Sequence, residues 1–364
     1  MHIDSSDGIR PAPPVPPRHR RTRCHPGARP PQHTAALLLL LVIALTGAAS
    51  PPAIGAPATA PLLASPTELA VAMRSAGQLG VLARRGVPLS TAQWSRALAA
   101  RARLTAADRA RLDDLLALAA PAAQGYLVEA FAAGHDLAEL TAFAAVIADR
   151  DPYWLRSRLR VVDPTETGAV HFRGNSIKQY NDQTCGATAI MVARAVVDPI
   201  YALRLTTGGR PDTEEEEEAD ERFEDRLAAE EQRIHDDTNR VWPQAAGVTP
   251  WAVSNQLSRD LAGLGARYQW TTVALAVSAL TDAVLRRALA AVALGYPVPF
   301  LIGDLIPRHY VLMLHHDAAG AWVYEPTGGD IVLLPERDLL RRDFSALGFA
   351  HLKGAILPAG LTTH

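Results

Sequence analysis

The sequence predicts an α+β fold, with helices in its first half and an antiparallel sheet in its second half. Three observations indicate this class. Apolar residues recur at helical spacing from residue 65 to about residue 160, strand-like runs follow from Tyr268 onwards, and a polar turn at 315–320 separates the two halves of a hairpin. At 364 residues with 48% hydrophobic content, the chain is long enough to bury a substantial core.

The first 64 residues lead into the folded part. Residues 1–33 are rich in Pro, Arg and His and are expected to form a disordered basic tail. Residues 34–49 carry an apolar run after a positive flank, which is typical of a secretory signal peptide, and an uncleaved N-terminal anchor is the alternative. Residues 50–64 form an Ala/Pro linker. We therefore expect a secreted or extracytoplasmic protein that meets a membrane only through residues 35–49, if that segment is not cleaved.

Residues 65–160 are predicted to form a helical N-terminal region. Helix starts are indicated at Ser65, Ser90 and Thr105, because each is followed three residues later by Glu, Gln or Asp. The apolar stripes that follow indicate core packing, and no side chain among them indicates chemistry. A prodomain, a cell-wall-binding module and a part of the catalytic body remain open as interpretations.

Residues 161–364 are expected to form a second domain. Its first element is a buried helix from Cys185 to Val197, which ends at Asp198 because Pro199 follows. Residues 211–237 are interpreted as a solvated acidic insertion, since they lack the alternating ligands and Gly turn of a calcium loop. Three elements then precede the hairpin, namely a strand at 268–273, a helix at 280–294 and a strand at 297–302.

Charge and cysteine content exclude some classes of function. The formal net charge is −2, so no basic surface is expected to bind nucleic acid. The two cysteines are Cys24, in the leader, and Cys185. An exported chain with a single thiol after processing forms no internal disulfide. A lone cysteine is usually a core residue, and only its neighbours indicate chemistry.

The surroundings of Cys185 favour a nucleophile. A thiol attacks a carbonyl as the thiolate, and the N-terminus of a helix favours that negative charge. Cys185 stands where such a helix begins, and Gly186 allows close approach of a substrate or another backbone. The polar loop before it supplies Gln179, or Gln183 as a substitute, whose amide can donate to the oxyanion formed on attack.

The hairpin provides a candidate base and acid. If its turn centres near Asp317, His309 lies directly opposite Glu325 and the two side chains share a face. Glu325 would then orient the imidazole and favour its protonated form. The register can slip, so Asp304 and Asp330 remain alternative acids.

The neighbouring pair His315 and His316 falls in the predicted turn and is interpreted as solvated. No second ligand pair stands at a recognisable spacing from it, so no metal site is predicted.

Three segments together resemble a known family. They are QYNDQTCGATAI, PVPFLIGDLIPRHYVLML and VYEPTGG, within roughly 177–340. They are similar to the bacteriocin-processing (double-glycine) peptidase-like group of the papain-like cysteine peptidases. The resemblance implies a papain-like fold, with a buried helix that carries the nucleophile against an antiparallel sheet. It also implies catalytic roles for Cys185 as nucleophile, His309 as base, Gln179 as oxyanion donor and Glu325 as orienting acid, where the family usually has Asp.

The resemblance therefore implies hydrolysis of amide bonds through a thioester on Cys185, with no metal or organic cofactor. The expected partner is a peptide or protein substrate, including a cell-wall peptide. Two alternatives stay open: a catalytically silent papain-like module that binds peptide or cell wall, and a cysteine transferase or cell-wall amidase on the same scaffold.

Overall fold

The computed structural model describes residues 66–209, 222–239, 247–273 and 278–360. Within these residues the α+β class predicted from the sequence is confirmed, with thirteen α-helices and an antiparallel sheet of seven strands. The tail, signal segment and linker predicted at 1–64 lie outside the described residues.

Seven helices come first. They are α1 (Pro66–Met73), α2 (Gln78–Arg84), α3 (Thr91–Arg103), α4 (Ala106–Leu118), α5 (Pro121–Ala132), α6 (Leu137–Ile147) and α7 (Pro152–Leu159). The starts predicted at Ser90 and Thr105 are confirmed, because each side chain accepts a hydrogen bond from the backbone N–H three residues later. At Ser90, the Gln93 side chain also accepts from the Ser90 N–H and completes a capping box.

These helices enclose a hydrophobic core of their own. Its fully buried side chains include Leu79, Leu82, Leu112, Leu116, Leu127, Leu140 and Ile147. The same core also contains Ile200 and Leu203, which come from beyond residue 160. The helical region is therefore completed by side chains of the following part of the chain.

The remaining elements form the sheet and its covering helices. They are β1 (Gly168–Ala169), β2 (His171–Phe172), β3 (Asn175–Ser176), α8 (Cys185–Val197), α9 (Pro199–Thr207), α10 (Phe223–Thr238), α11 (Pro250–Asp260), β4 (Tyr268–Thr272), α12 (Ser278–Ala293), β5 (Val298–Gly303), β6 (His309–Asp317), β7 (Gly320–Glu325), β8 (Asp330–Pro335), α13 (Glu336–Arg341) and β9 (His351–Pro358). The strand order is β1-β8-β7-β6-β5-β9-β4, and β2 pairs with β3 separately.

The central strands β5 and β6 are buried over most of their length, and α8 and α12 both pack on β6. A strand buried on both faces is expected to be apolar at nearly every position, as VPFLIG and YVLML are. This packing places the first turn of α8 beside the start of β6, which brings together two parts of the chain far apart in sequence.

Two elements differ from the sequence-based expectation. Asp198 ends α8 but also caps α9, because its carboxylate accepts from the N–H groups of Ile200 and Tyr201 and Pro199 occupies the first helical position. The interpretation of 211–237 as a solvated insertion is wrong for its second half. Residues 223–237 belong to α10, whose apolar face, including Phe223, is buried against α8.

No single helix in the described ranges is long and apolar enough to cross a membrane. The bent pair formed by α8 and α9 is together long and apolar enough to cross a membrane, by length and composition alone. Its side chains, however, form part of the protein core.

Candidate active site

Cys185 is the first residue of α8, and its side chain is 7% exposed. The N-cap residue Thr184 makes no capping hydrogen bond to the first turn, so the N–H groups there are not satisfied by that side chain. A negative charge on the Cys185 sulfur would therefore face donors and the positive end of the helix. A Cβ at Gly186 would lie only 3.2 Å from the Tyr310 ring, so glycine here lets β6 pack tightly on the first turn.

The structure brings Cys185, His309 and Glu325 together. His309 is the first residue of β6, and its Nε2 lies 2.6 Å from Glu325 Oε1 at the end of β7. The Cys185 side chain lies close enough to the ring to raise the pKa of His309. An imidazole held between a thiol and a carboxylate is the arrangement that proton transfer from the thiol requires.

The register that produces this contact differs from the predicted one. The hairpin turn lies between Asp317 and Gly320, and an extra residue, Leu314, forms a bulge between the pairs Met313–Val323 and His315–Trp322. Because Leu312 pairs with Tyr324, Glu325 is level with Val311 and reaches His309 diagonally. The prediction that the two residues stand directly opposite is wrong, whereas the shared face is retained. Without the bulge, Glu325 would be level with Leu312 and would point away from His309.

Burial and hydrogen bonding set opposite pKa shifts on this pair. Burial alone would lower the pKa of His309, but its hydrogen bonds with Cys185 and Glu325 raise that pKa to about 9. Burial would raise the pKa of Glu325, but donation from His309 and from the N–H groups of Gly328 and Thr327 lowers it to about 2. At neutral pH His309 is therefore expected as the imidazolium, beside the ionised carboxylate of Glu325.

Gln179 lies in the loop before α8. Its N–H donates to the carbonyl of Pro326, 2.8 Å away, so its backbone is tied to the turn that follows Glu325. Its side-chain Oε1 is buried and has no hydrogen-bond partner among the described residues. Gln183, the substitute donor, is exposed, and its N–H donates to the side chain of Asn181. Of the two amides, Gln179 is therefore the one anchored to the strand end that carries the acid.

The alternative acids occupy other positions. The Asp304 carboxylate accepts a hydrogen bond from the N–H of Ala350, and the backbone carbonyl of Asp304 accepts one from the ammonium of Lys353. Asp330 begins β8 and pairs with Glu325 in register. Only Glu325 has a carboxylate oxygen in a described hydrogen bond with His309.

His315 and His316 lie on β6 and not in the turn, so that interpretation is wrong. The His316 Nε2 contacts Glu336 Oε2 at 3.0 Å, and the His315 ring packs beside Trp322 with a centroid distance of 5.1 Å. The two-residue hairpin loop is shorter than the polar run in the sequence, because both histidines continue the ladder. Among the residues that the structure describes, no group of three His, Cys, Asp or Glu side chains is arranged to hold a metal ion.

Sequence reasoning missed Glu231 of α10, whose side chain is buried below the loop that carries Gln179. A signal was present, since Phe223, Leu227 and Ile234 recur at helical spacing within the acidic segment. The excess of acidic residues masked that periodicity.

Comparison with protein-family models, with curated proteins and with solved structures found no match to this chain.

Proposed function

We propose that this chain is an exported papain-like cysteine hydrolase that cleaves amide bonds in peptides or proteins, with Cys185 as nucleophile and His309 as base. The observation that carries the proposal is the position of the His309 ring, which hydrogen-bonds Glu325 and lies close to the Cys185 side chain. A nucleophile, a base and a group that orients the base are the parts that acyl transfer by a side chain needs.

The first half of the reaction acylates the protein. His309 holds the Cys185 proton in a thiolate–imidazolium pair, so the thiolate sulfur adds to the carbonyl carbon and the carbonyl electron pair moves to oxygen. The amide of Gln179 and the N–H groups at the start of α8 are the donors available to that oxyanion. Collapse of the adduct breaks the C–N bond, His309 gives its proton to the leaving nitrogen, and the acyl group remains on sulfur as a thioester.

The second half releases the acid. Water gives a proton to His309 and adds to the thioester carbon, and the C–S bond then breaks to give a carboxylic acid and the starting thiolate–imidazolium pair. Glu325 keeps the imidazole oriented and stabilises its charged form throughout. Every step uses groups of this chain and water, so the scheme needs no metal or organic cofactor.

The architecture and the sequence each add support. A buried helix carrying Cys185 against an antiparallel sheet is compatible with a papain-like fold. The choice of peptides, proteins or cell-wall peptides as substrates rests on the resemblance of the sequence segments. Export rests on the apolar run at 35–49, with a retained anchor as the alternative.

Alkylation of Cys185 by iodoacetamide tests the nucleophile without any substrate. We expect His309→Ala to slow alkylation at neutral pH by about tenfold or more, because no imidazole then takes the thiol proton. His316→Ala is the matched control, since His316 is on the same strand with its own glutamate partner, and it should alkylate like the wild type. Equal rates for wild type and His309→Ala would exclude an activated nucleophile.

Substrate pools separate the classes of reaction. Peptide and muropeptide pools are incubated with wild type and with Cys185→Ala, with and without added amines, and products are identified by mass spectrometry. New carboxyl termini that require Cys185 support the hydrolase. Products that require the added amine indicate a transferase, and ligand binding by Cys185→Ala without turnover by the wild type indicates a silent module.

A further inference from the structure

Glu231 supports the loop that leads into the nucleophile. Its side chain is 0% exposed, and its Oε2 accepts a hydrogen bond of 2.7 Å from the N–H of Tyr180. Tyr180 follows Gln179, whose own N–H is held on the other side by Pro326. The loop is therefore clamped between α10 and the end of β7, on either side of the candidate oxyanion donor.

The contacts of the Glu231 carboxyl group bear on its protonation state. The hydroxyls of Thr184 and Thr188 lie beside its carboxyl group. Each hydroxyl already donates its one hydrogen, Thr184 to the carbonyl of Asn181 and Thr188 to the carbonyl of Thr184. The donor that the structure gives to the Glu231 carboxyl group is therefore the N–H of Tyr180. The second carboxyl oxygen, Oε1, is buried and has no hydrogen-bond partner among the described residues, and a negative charge on such an oxygen is costly.

The electrostatic surroundings agree with this assignment. Burial raises the pKa of Glu231 to about 7, against the hydrogen bonds that would lower it. Tyr324 of β7 interacts electrostatically with Glu231. Burial raises the pKa of the Tyr324 phenol well above its ordinary value, so the phenol stays neutral. On α10 itself, burial lowers the pKa of His235, and Glu230 is directed to Tyr201 of α9. The helices α8, α9 and α11, which pack on α10, give Glu231 no ion pair within the described part of the chain.

We propose that Glu231 is a positioning residue that works as a neutral carboxylic acid, accepting a hydrogen bond from the N–H of Tyr180 below the first turn of α8. This proposal rests on the proposed function, since it assigns Glu231 to the support of Gln179 and Cys185. Ionisation would leave a buried charge with a single described hydrogen-bond donor, and would place a negative charge below the helix that carries Cys185. Both effects loosen the loop and disfavour the nucleophile.

The test compares Glu231→Gln with wild type and with Glu231→Ala. The Gln side chain can accept from Tyr180, as the protonated acid does, but it cannot ionise. We expect Glu231→Gln to keep kcat/KM within about threefold at about pH 6, and to lack the severalfold fall that the wild type shows between about pH 6 and about pH 8. Glu231→Ala should lose activity at both pH values. The second readout is the alkylation rate of Cys185, which should follow the same pattern.

Thermal unfolding supplies a readout that needs no activity. A carboxyl with a raised pKa makes the folded state less stable as pH rises from its ordinary 4.5 to about 7, so the melting temperature of Glu231→Gln should rise relative to wild type across that window. A parallel pH dependence in both proteins, or loss of alkylation in folded Glu231→Gln at about pH 6, would overturn the role of the neutral acid. If the melting result holds while no variant or wild type cleaves peptide, the proposed function fails and the state of Glu231 stands.

Discussion

The length of the acidic side chain at position 325 follows from the geometry of the hairpin. The resembling family usually has Asp where this chain has Glu325, one methylene longer. Here the carboxylate must reach from a backbone position level with Val311 to the ring of His309. Diagonal neighbours across strands stand about 7–8 Å apart, whereas directly opposed residues stand about 4.5–5.5 Å apart. The longer side chain therefore fits the register of this sheet.

The first prediction shortens that side chain. Glu325→Asp should withdraw the carboxylate from His309 by about 1.5 Å and lower kcat/KM by about ten- to a hundredfold, since the imidazole loses its orienting partner. Steady-state kinetics on a cleaved peptide measure the effect. Glu336→Asp is the matched control, because Glu336 forms a second Glu–His contact on the same sheet. Full activity of Glu325→Asp would show that the hairpin adjusts or that the contact is dispensable.

The second prediction concerns the alkaline limit of activity. His309 is held protonated up to about pH 9, partly by Glu325, and in the proposed mechanism activity is lost as it gives up that proton. Glu325→Gln removes the negative charge, so the pKa of His309 should fall and the alkaline limb should move to lower pH by about one to two units. A pH series of kcat/KM, together with NMR titration of the His309 ring, measures the shift. An alkaline limb at the same pH in Glu325→Gln and wild type would show that Glu325 does not set the pKa of His309.

At the scale of elements, local signals in the sequence predicted what local physics determines. Capping residues placed the starts of α3 and α4, and the apolar run placed α8, because these depend on neighbouring residues alone. The bulge at Leu314 could not be predicted in the same way. It depends on how β6 pairs with β7 over its whole length, and one extra residue decides which face Glu325 occupies.

The same distinction applies to α10. A count of charges predicted a solvated segment, whereas the buried face of the helix depends on contact with α8, which composition does not record. Glu231 was missed for this reason. Its acidity placed it with the solvated residues, although the loop above it supplies the partner that makes its burial tolerable.

The third prediction concerns the pair formed by His135 and Asp198, which joins the N-terminal end of α6 to that of α9. The His135 Nε2 lies 2.8 Å from Asp198 Oδ1. Burial would lower the pKa of His135, but the hydrogen bond with Asp198 outweighs it and raises that pKa above the ordinary 6.5. Burial would raise the pKa of Asp198, but His135 lowers it below the ordinary 3.8. The stabilisation is therefore complete between about pH 3.8 and about pH 6.5, and is lost as pH falls below or rises above that window.

Asp198→Asn tests this window because Asn can still cap α9 but cannot pair as an anion. Its free energy of unfolding, from urea titrations, should be about 1–2 kcal/mol lower than wild type near pH 5 and should approach wild type above the folded pKa of His135. Asp151→Asn, at the exposed N-cap of α7, is the control. A deficit that stays constant with pH would assign the effect to packing and not to the ion pair.

At the scale of the whole molecule, the helical region is joined to the sheet by buried polar contacts. The Arg96 side chain is 7% exposed, donates to the carbonyl of Leu294 and stacks over the Tyr296 ring. The backbones of Gly134 and Gly263 approach so closely that a Cβ on Gly263 would overlap the carbonyl of Ala133. All described residues fall in one compact unit. These contacts favour the interpretation of residues 65–160 as part of the catalytic body over a removable prodomain.

The last prediction tests that interpretation by truncation. A chain of residues 161–364 would expose Ile200 and Leu203, which complete the core of the helical region, and would leave Asp198 without His135. We expect it to aggregate or to unfold without a cooperative transition, because a large apolar face is uncovered. A chain of residues 65–364 keeps every described element and is the control, with a cooperative transition and wild-type alkylation of Cys185.

Cleavage without removal separates folding from function. A protease site inserted in the connection between α7 and β1, near residue 165, should give two fragments that remain together in gel filtration and keep the alkylation rate of Cys185, since buried contacts and not the peptide link hold them. Release of the helical fragment with a gain of activity would identify a prodomain and contradict the integral role. Retention of both fragments with unchanged alkylation of Cys185 would show that packing, and not the peptide link, holds the helical region in place. That packing is on α9, which directly follows α8 in the chain.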